Sequence, residues 1–95
     1  MSPEKRMPPL PSPGSGDRFL DARGLLCPMP VVKASQALAA MREGEVLEVL
    51  ADDQGVKADF PALCKGSGHE WLGCSQEGRV VRAFIRKGRQ GKVAR

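Results

Sequence analysis

The sequence predicts an α/β fold, a two-layer α/β sandwich in which two helices lie on one face of a mixed four-stranded sheet. Three observations indicate it: one stretch of apolar residues at helical spacing, one short aliphatic run typical of a central strand, and two strand-like segments around a glycine-containing turn. The predicted order is β-α-β-α-β-β. A strand–helix–strand unit makes its two strands parallel, whereas a hairpin is antiparallel, so a mixed sheet is expected.

The first helix is the best-defined element of the sequence. A short strand is predicted over residues 18–22, and Arg23-Gly24 then turns the chain. From about residue 28 to residue 43 apolar side chains recur at intervals of three and four, as on one face of a helix, and Gly44 is predicted to cap its end. The apolar positions are Val31, Ala34, Leu38 and Met41.

The second half of the predicted domain supplies a central strand, a short helix and a hairpin. Residues 45–51, EVLEVLA, carry apolar side chains on both faces, which is typical of a central strand. A short helix is expected around residues 60–65, with Pro61 in its first turn and a break at Gly66-Ser67-Gly68. The segments HEWLGCS and RVVRAFIRK then form a hairpin that turns at residues 76–78. The candidate N-caps of the second helix are Asp52, Asp53 and Asp59.

Both ends of the chain are predicted to lie outside the folded domain, residues 18–87. Residues 1–17 contain five of the eight prolines and few large apolar side chains, so a disordered tail is predicted there. Residues 88–95 are predicted to be a basic, flexible tail. Since no segment has the apolar run of a signal peptide or a membrane span, a cytoplasmic protein without membrane contact is expected.

The formal net charge of +4 is concentrated in the C-terminal tail. Residues 18–87 carry ten basic and nine acidic residues, residues 1–17 are balanced, and residues 88–95 contribute +3. A basic tail by itself supports only weak, salt-sensitive attraction to acidic partners, so no direct nucleic-acid binding is expected. Trp71 is interpreted as a core or interface residue rather than a base-stacking platform.

The cysteine and histidine pattern predicts free thiols and no metal. Three cysteines without a signal peptide favour a reducing compartment. Cys64 and Cys74 are expected to be buried structural thiols, with a resolving role for Cys64 left open. Their spacing with His69 matches no common zinc pattern. His69 is expected to be structural or partner-facing, because nothing in the sequence brings it to Cys27 as a base.

The segment CPMP, residues 27–30, stands where the first helix is predicted to begin. Proline lacks an N–H and suits the first helical turn, and it disfavours helical geometry at the residue before it. Cys27 is therefore expected just outside the helix, which begins at either Pro28 or Pro30.

This position suggests a reactive thiol. The positive end of a helix dipole favours the thiolate, and Arg23 and Lys33 could add to that effect, so a lowered pKa of Cys27 is expected. The alternative is that Cys27 only fills a gap in front of a helix, as free cysteines commonly do.

Four motifs follow one another in a fixed order along residues 18–87: D-A-x-G-x-x-C-P-x-P, ADD, DFP and GHE. In these motifs and their order the sequence resembles the TusA (SirA-like) sulfur-carrier family. The resemblance implies the same two-layer fold. It also implies that Cys27 accepts sulfane sulfur as a persulfide from a cysteine desulfurase or rhodanese-like donor and hands it to a downstream protein acceptor. Some relatives have an aromatic residue where this chain has Leu63.

The family serves tRNA thiolation, molybdenum-cofactor-related sulfur supply and the oxidation of reduced sulfur compounds, and the resemblance leaves this choice open. A monomeric carrier with sulfurtransferase-type chemistry and no cofactor is expected; whether the chain is an enzyme on its own stays open. The expected docking surface is the exposed end around Cys27. Its predicted members are Arg23, Pro28, Met29, Pro30 and Lys33.

Two other functions are weighed against this one. A small RNA-binding or regulatory α/β module is the main alternative, suggested by the fold class and the basic C-terminal tail. A thiol–disulfide redox protein is a third, but the C-x-x-C motif of such proteins is missing from the sequence.

Overall fold

A mixed four-stranded sheet with two helices forms the protein, whose computed structural model describes residue 11 and residues 14–88. The strands lie in the order β1-β2-β4-β3; β1 is parallel to β2, and the other two pairings are antiparallel. The predicted α/β fold and the predicted order of elements are confirmed. The elements are β1 (Arg18–Asp21), α1 (Met29–Ala39), β2 (Val46–Ala51), α2 (Val56–Ser67), β3 (Glu70–Glu77) and β4 (Val80–Arg86).

The core lies between the sheet and both helices. Alternate residues of the two central strands β2 and β4 face it, and one buried stripe from each helix closes it. The ring of Phe60, which is fully buried, lies 6.4 Å from that of Trp71 in β3, consistent with the predicted core role of Trp71. The buried strand residues are Leu47, Val49, Ala51, Val81, Ala83 and Ile85; the buried helix residues are Pro30, Ala34, Leu38, Val56, Phe60 and Cys64.

The first helix is shorter than its apolar stripe predicts. It ends at Ala39 rather than near residue 43, because the N–H groups of Ala40 and Met41 turn to carbonyls three residues back. Met41 is still buried, so the stripe runs on past the helix into the turn. The helix ends without Gly44 as its cap: Gly44, at a φ of 91°, belongs to the turn before β2, where its N–H donates to the Lys87 carbonyl.

The second helix begins earlier than predicted, at Val56 rather than near residue 60. None of the three candidate aspartates is its N-cap, which is Gly55; Asp59 lies inside the first turn. Pro61 is consequently inside the helix rather than in its first turn. Burial of Phe60 and Cys64 on the core face holds the helix together across this missing N–H.

The second helix ends as predicted at a glycine. Gly68 adopts a left-handed conformation, with a φ of 81°, and its N–H donates to the Cys64 carbonyl. The hairpin that follows is also confirmed, although its turn lies at Gly78-Arg79 rather than at residues 76–78.

The face of the sheet opposite the helices carries a buried ion pair. Glu48 in β2 is almost fully buried and pairs with Arg82 in β4, which also binds Glu77. The Glu48 carboxylate accepts hydrogen bonds from the N–H groups of Gly14 and Gly16, at 2.9 and 3.4 Å. These bonds hold the segment before β1 against this face of the sheet.

These contacts bear on the predicted ends of the domain. The N-terminal boundary was placed at residue 18, whereas residues 14–17 already contact β2, with the Asp17 carboxylate accepting the Val46 N–H at 2.8 Å. At the other end Gly88 contacts His69. The remainder of both predicted tails, residues 1–10, 12, 13 and 89–95, lies outside the described residues. None of the helices described is long and apolar enough to cross a membrane.

Candidate functional site

The loop that carries Cys27 is fixed against the C-terminal end of β2. Because β1 and β2 are parallel and adjacent, the segments that follow them leave the sheet side by side. The Ala22 N–H donates to the Leu50 carbonyl at 2.8 Å, and the Gly24 N–H donates to the Asp52 carboxylate at 3.1 Å. The Cys27 N–H donates to Asp53 Oδ2 at 2.8 Å. Three successive contacts thus set the position of the cysteine before α1 begins.

The first helix begins at neither Pro28 nor Pro30, the two starts that the sequence left open. Pro28 is the N-cap residue, Met29 is the first helical residue and Pro30 is the second. The Val32 N–H makes the first intrahelical bond, to the Pro28 carbonyl at 3.0 Å, and the Cys27–Pro28 peptide bond is cis. Cys27 therefore lies one residue outside the N-cap, as predicted.

The two prolines differ in exposure. Pro30 is buried among the core residues of α1, so it stabilises the helix start and is not available to a docking partner. Pro28 and Met29 are exposed, with 40% of Met29 accessible. Leu26 and Val32 add further exposed apolar surface beside them. The exposed rim is thus apolar, and Pro30 is removed from the predicted docking set.

The thiol of Cys27 faces a carboxylate instead of a cation. Its Sγ donates a hydrogen bond to Asp59 Oδ2 at 3.5 Å. That bond is the largest of the effects that raise the pKa of Cys27 above its ordinary value; loss of solvent and the negative charges of Asp59 and Asp53 add to it. The expectation of a lowered pKa is therefore wrong for this conformation of the protein.

The helix dipole does not overcome these two carboxylates. It acts as about half a positive charge, and solvent screens it at an exposed position. Against it stand one full negative charge in hydrogen-bonding contact and a second bound to the Cys27 backbone. The predicted cations do not help: the Arg23 guanidinium is bound to the Asp21 carboxylate at 2.7 and 2.8 Å, and Lys33 is not among the charges that act on the thiol.

A shallow groove opens directly beside the Cys27 sulfur. Its volume is about 380 Å³, and its walls come from the start of α1 and the exposed side of α2. Leu63 forms part of it. The lining residues are Cys27, Pro28, Val31, Asp59, Ala62 and Leu63.

The other two cysteines are placed differently. Cys64 is 2% exposed on the core face of α2, and burial raises its pKa to about 11. A resolving role would need this thiol to reach the surface, so its burial favours a structural role for Cys64. Cys74 is half-buried and packs against the core from β3 rather than being fully buried. Within residues 14–88, no three His, Cys, Asp or Glu side chains come together in a way that could hold a metal ion.

His69 lies at the far end of the sheet from Cys27. Its Nδ1 accepts the Gly88 N–H at 2.9 Å, just beyond the end of β4, which pairs with the start of β2. Burial, with the positive charge of Lys87 in addition, lowers the pKa of His69 below its ordinary value. The six paired positions between β2 and β4 separate the two ends, by about 20 Å at ~3.3 Å per residue. His69 is therefore not a base for Cys27.

Sequence reasoning missed the role of the aspartates. Asp52, Asp53 and Asp59 were interpreted only as possible helix caps, whereas the structure brings all three to the Cys27 loop. A usable signal was present: two aspartates directly follow a central strand that is parallel to the strand before the cysteine. In such a unit the residues after both strands meet at one edge of the sheet.

Comparison with known proteins gives a consistent result. The model of a family described as Sulfurtransferase TusA matches residues 18–87. The chain is 42% identical over 71 residues to the sulfur carrier protein TusA of Allochromatium vinosum, covering 75% of this chain and 93% of that protein. It is 43% identical over 72 residues to YrkI of Bacillus subtilis, covering 76% of this chain and 96% of YrkI.

Two further comparisons concern a longer relative and a solved structure. The chain is 51% identical over 69 residues to YrkF of Bacillus subtilis, covering 73% of this chain but only 37% of YrkF. The crystal structure of a SirA-like protein from Desulfitobacterium hafniense superposes with a TM-score of 0.66 at 28% identity, covering 76% of this chain and 99% of that one.

Proposed function

This chain belongs to the TusA family and has the role of a sulfur carrier, and we propose that Cys27 is the residue on which it accepts sulfane sulfur as a persulfide. One observation carries the assignment: among the three free cysteines only Cys27 is exposed. It also lies beside an open groove, on a loop held by the end of the sheet. A carrier needs such a sulfur, because two partner proteins must reach it in turn.

The transfer balances without any further reactant. The Cys27 sulfur, as thiolate, attacks the outer sulfur of a donor persulfide, so a new S–S bond forms while the donor's S–S bond breaks. The electron pair of the broken bond stays on the donor sulfur, which takes up a proton equivalent to the one that Cys27 released. A Cys27 persulfide and a donor thiol result, with no oxidant or reductant consumed, and the same exchange in reverse roles unloads the carrier to its acceptor.

The partners are sulfur donor and acceptor proteins in general, and we propose a cysteine desulfurase or a rhodanese-like protein as the donor. Docking is proposed at the apolar rim of Pro28, Met29 and the groove, with Arg23 and Lys33 at its edge. The pathway served is one of tRNA thiolation, cofactor sulfuration or sulfur oxidation. A monomer in the cytoplasm is the proposed setting, since the persulfide chemistry needs a reduced thiol.

The experiment that tests this function is sulfur loading followed by intact-mass measurement. After incubation with a sulfane donor, the wild-type protein is expected to gain about 32 Da, removable by reductant, through persulfidation of one cysteine. Cys27→Ser is expected to abolish the gain completely. Cys74→Ser, the matched control at a half-buried thiol, is expected to load normally.

Two results would contradict the proposal: loading that survives in Cys27→Ser, or wild-type protein that does not load at all. An RNA-binding module would instead show affinity that is indifferent to Cys27→Ser and falls steeply with salt.

A further inference from the structure

Within residues 14–88, Asp59 is the one side chain that forms a hydrogen bond with the Cys27 sulfur, with its Oδ2 at 3.5 Å from Sγ. It reaches that position from the first turn of α2, in the wall of the groove beside the sulfur. The contact joins two elements that are 32 residues apart in the chain, so it is set by the fold and not by a local turn. A thiol can make this bond only with its proton in place, because the ionised carboxylate is an acceptor only.

The charged groups around the sulfur are of one sign. Asp59 faces it from α2, and Asp53 faces it from the segment before α2 while binding the Cys27 N–H. From the side of α1, Arg23 is engaged with Asp21, and Lys33 does not act on the thiol. Within the described part of the chain neither Asp53 nor Asp59 forms an ion pair within 4 Å. Among the described residues, no cationic side chain therefore offsets these two negative charges at the sulfur.

Resting on the proposed function of Cys27, we propose that Asp59 is a positioning residue that holds the proton on the empty Cys27 and keeps the free carrier in its slow-reacting thiol form. The thiolate is the nucleophile in both sulfur transfer and alkylation. A carrier whose sulfur is exposed for partners is equally exposed to oxidants and small electrophiles. The Asp59 hydrogen bond limits that side chemistry without burying the sulfur, so access for partner proteins is kept.

Removing the carboxylate is expected to make the free thiol more reactive at neutral pH. Asp59→Asn keeps the size of the side chain while removing its charge. The rate of Cys27 labelling by iodoacetamide is measured from pH 6 to pH 10, with the labelled peptide identified by mass. The midpoint of the pH profile is expected to move to lower pH in the variant, and the rate at pH 7 to rise about two- to threefold. The gain in rate is smaller than the gain in thiolate, because a less basic thiolate is also less nucleophilic.

Two further variants separate this effect from a change in general charge or shape. Asp59→Glu retains a carboxylate and is expected to keep its midpoint nearer to that of the wild type than Asp59→Asn does. Glu70→Gln removes one negative charge at the opposite end of the sheet, where Glu70 binds Arg86, and is expected to leave the midpoint unchanged.

Three outcomes would overturn the inference. They are a midpoint for Asp59→Asn that equals the wild-type value, a rate raised by the same factor at every pH, or an Asp59→Glu midpoint at or below that of Asp59→Asn. The proposed function is tested separately by sulfur loading. Asp59→Asn is expected to gain one sulfur like the wild type, so an unchanged midpoint with normal loading contradicts the inference alone, whereas wild-type protein that fails to load contradicts the function.

Discussion

The two ends of the sheet use polar side chains in opposite ways. At the end that carries Cys27, the sulfur is exposed, the groove beside it is largely apolar, and carboxylates hold the loop through backbone N–H groups. At the other end the polar groups turn inward: His69 accepts the Gly88 N–H, and the buried Lys87 ammonium donates to the Leu38 carbonyl at 2.5 Å. The first end leaves an apolar surface and a reactive atom for other proteins, whereas the second joins β4 to the helices. Substitutions at the two ends should therefore affect different properties.

The end of the sheet that carries His69 and Lys87 is called the closed end, and the end that carries Cys27 the open end. The largest effect on stability is expected from Gly88→Ala, at the closed end. A Cβ atom at this position would lie 1.8 Å from the Gly68 carbonyl oxygen, so the backbone after β4 must move away from the turn before β3. The Gly88–His69 hydrogen bond would be strained by the same movement. Overpacking of this kind costs about 1–3 kcal/mol in the free energy of unfolding, measured by urea denaturation.

Gly66→Ala is the matched control for that substitution. Gly66 lies inside α2, and a Cβ there meets no atom within 4 Å. Helix propensity then predicts a gain of roughly 0.5–1 kcal/mol. Equal stabilities of the two variants would contradict the difference drawn between the two glycines, and sulfur loading on Cys27 is expected to be normal in both.

Local patterns predicted the elements well and their ends poorly. The stripe of Val31, Ala34, Leu38 and Met41 correctly identified the first helix. It did not show where the helix stops, because Met41 is buried by the following turn as effectively as by another helical turn. Similarly, Pro61 argued for a late start of the second helix, whereas the buried face from Val56 to Cys64 outweighs one missing N–H.

The environment of the candidate site was harder to predict, because it depends on contacts between distant residues. The CPMP pattern correctly placed Cys27 just outside the helix. The helix dipole, with Arg23 and Lys33 nearby in the sequence, then suggested a lowered pKa. Asp59, 32 residues away, reverses the direction, and only the fold brings it to the sulfur. A position on a helix can thus be inferred from local sequence, but the charge around it cannot.

The next effect in size is a dependence of folding stability on pH, which arises from His69 at the closed end. Burial holds the pKa of His69 below the ordinary value of 6.5. As the pH falls below about 6.5 the unfolded chain takes up a proton that the folded protein resists, so stability decreases until the pH is also below the folded pKa. Above that window His69 contributes no pH dependence.

His69→Gln should remove this contribution to the change of stability with pH. His69 is the only histidine in the chain, so the comparison is clean. Urea midpoints at pH 7.5, 6.5 and 5.5 are expected to fall more steeply for the wild type than for the variant. Parallel curves would show that the ring is free to protonate in the folded state, against its contact with the Gly88 N–H.

The smallest effect is expected from Lys33→Gln, at the open end. Lys33 is exposed on α1 and does not act on the thiol, so the midpoint of Cys27 alkylation should not change. Because Lys33 is proposed to lie at the edge of the docking surface, its loss should slow sulfur transfer from a donor protein by about twofold, as expected for an exposed charge worth a few tenths of a kcal/mol. Loading by a small sulfane donor should stay the same, because no protein contact is involved.

Lys65→Gln removes the same charge from the last turn of α2, toward the closed end, and should leave both rates unchanged. A slower transfer in Lys65→Gln than in Lys33→Gln would move the docking surface away from Cys27, and with it the distinction between the two ends of the sheet.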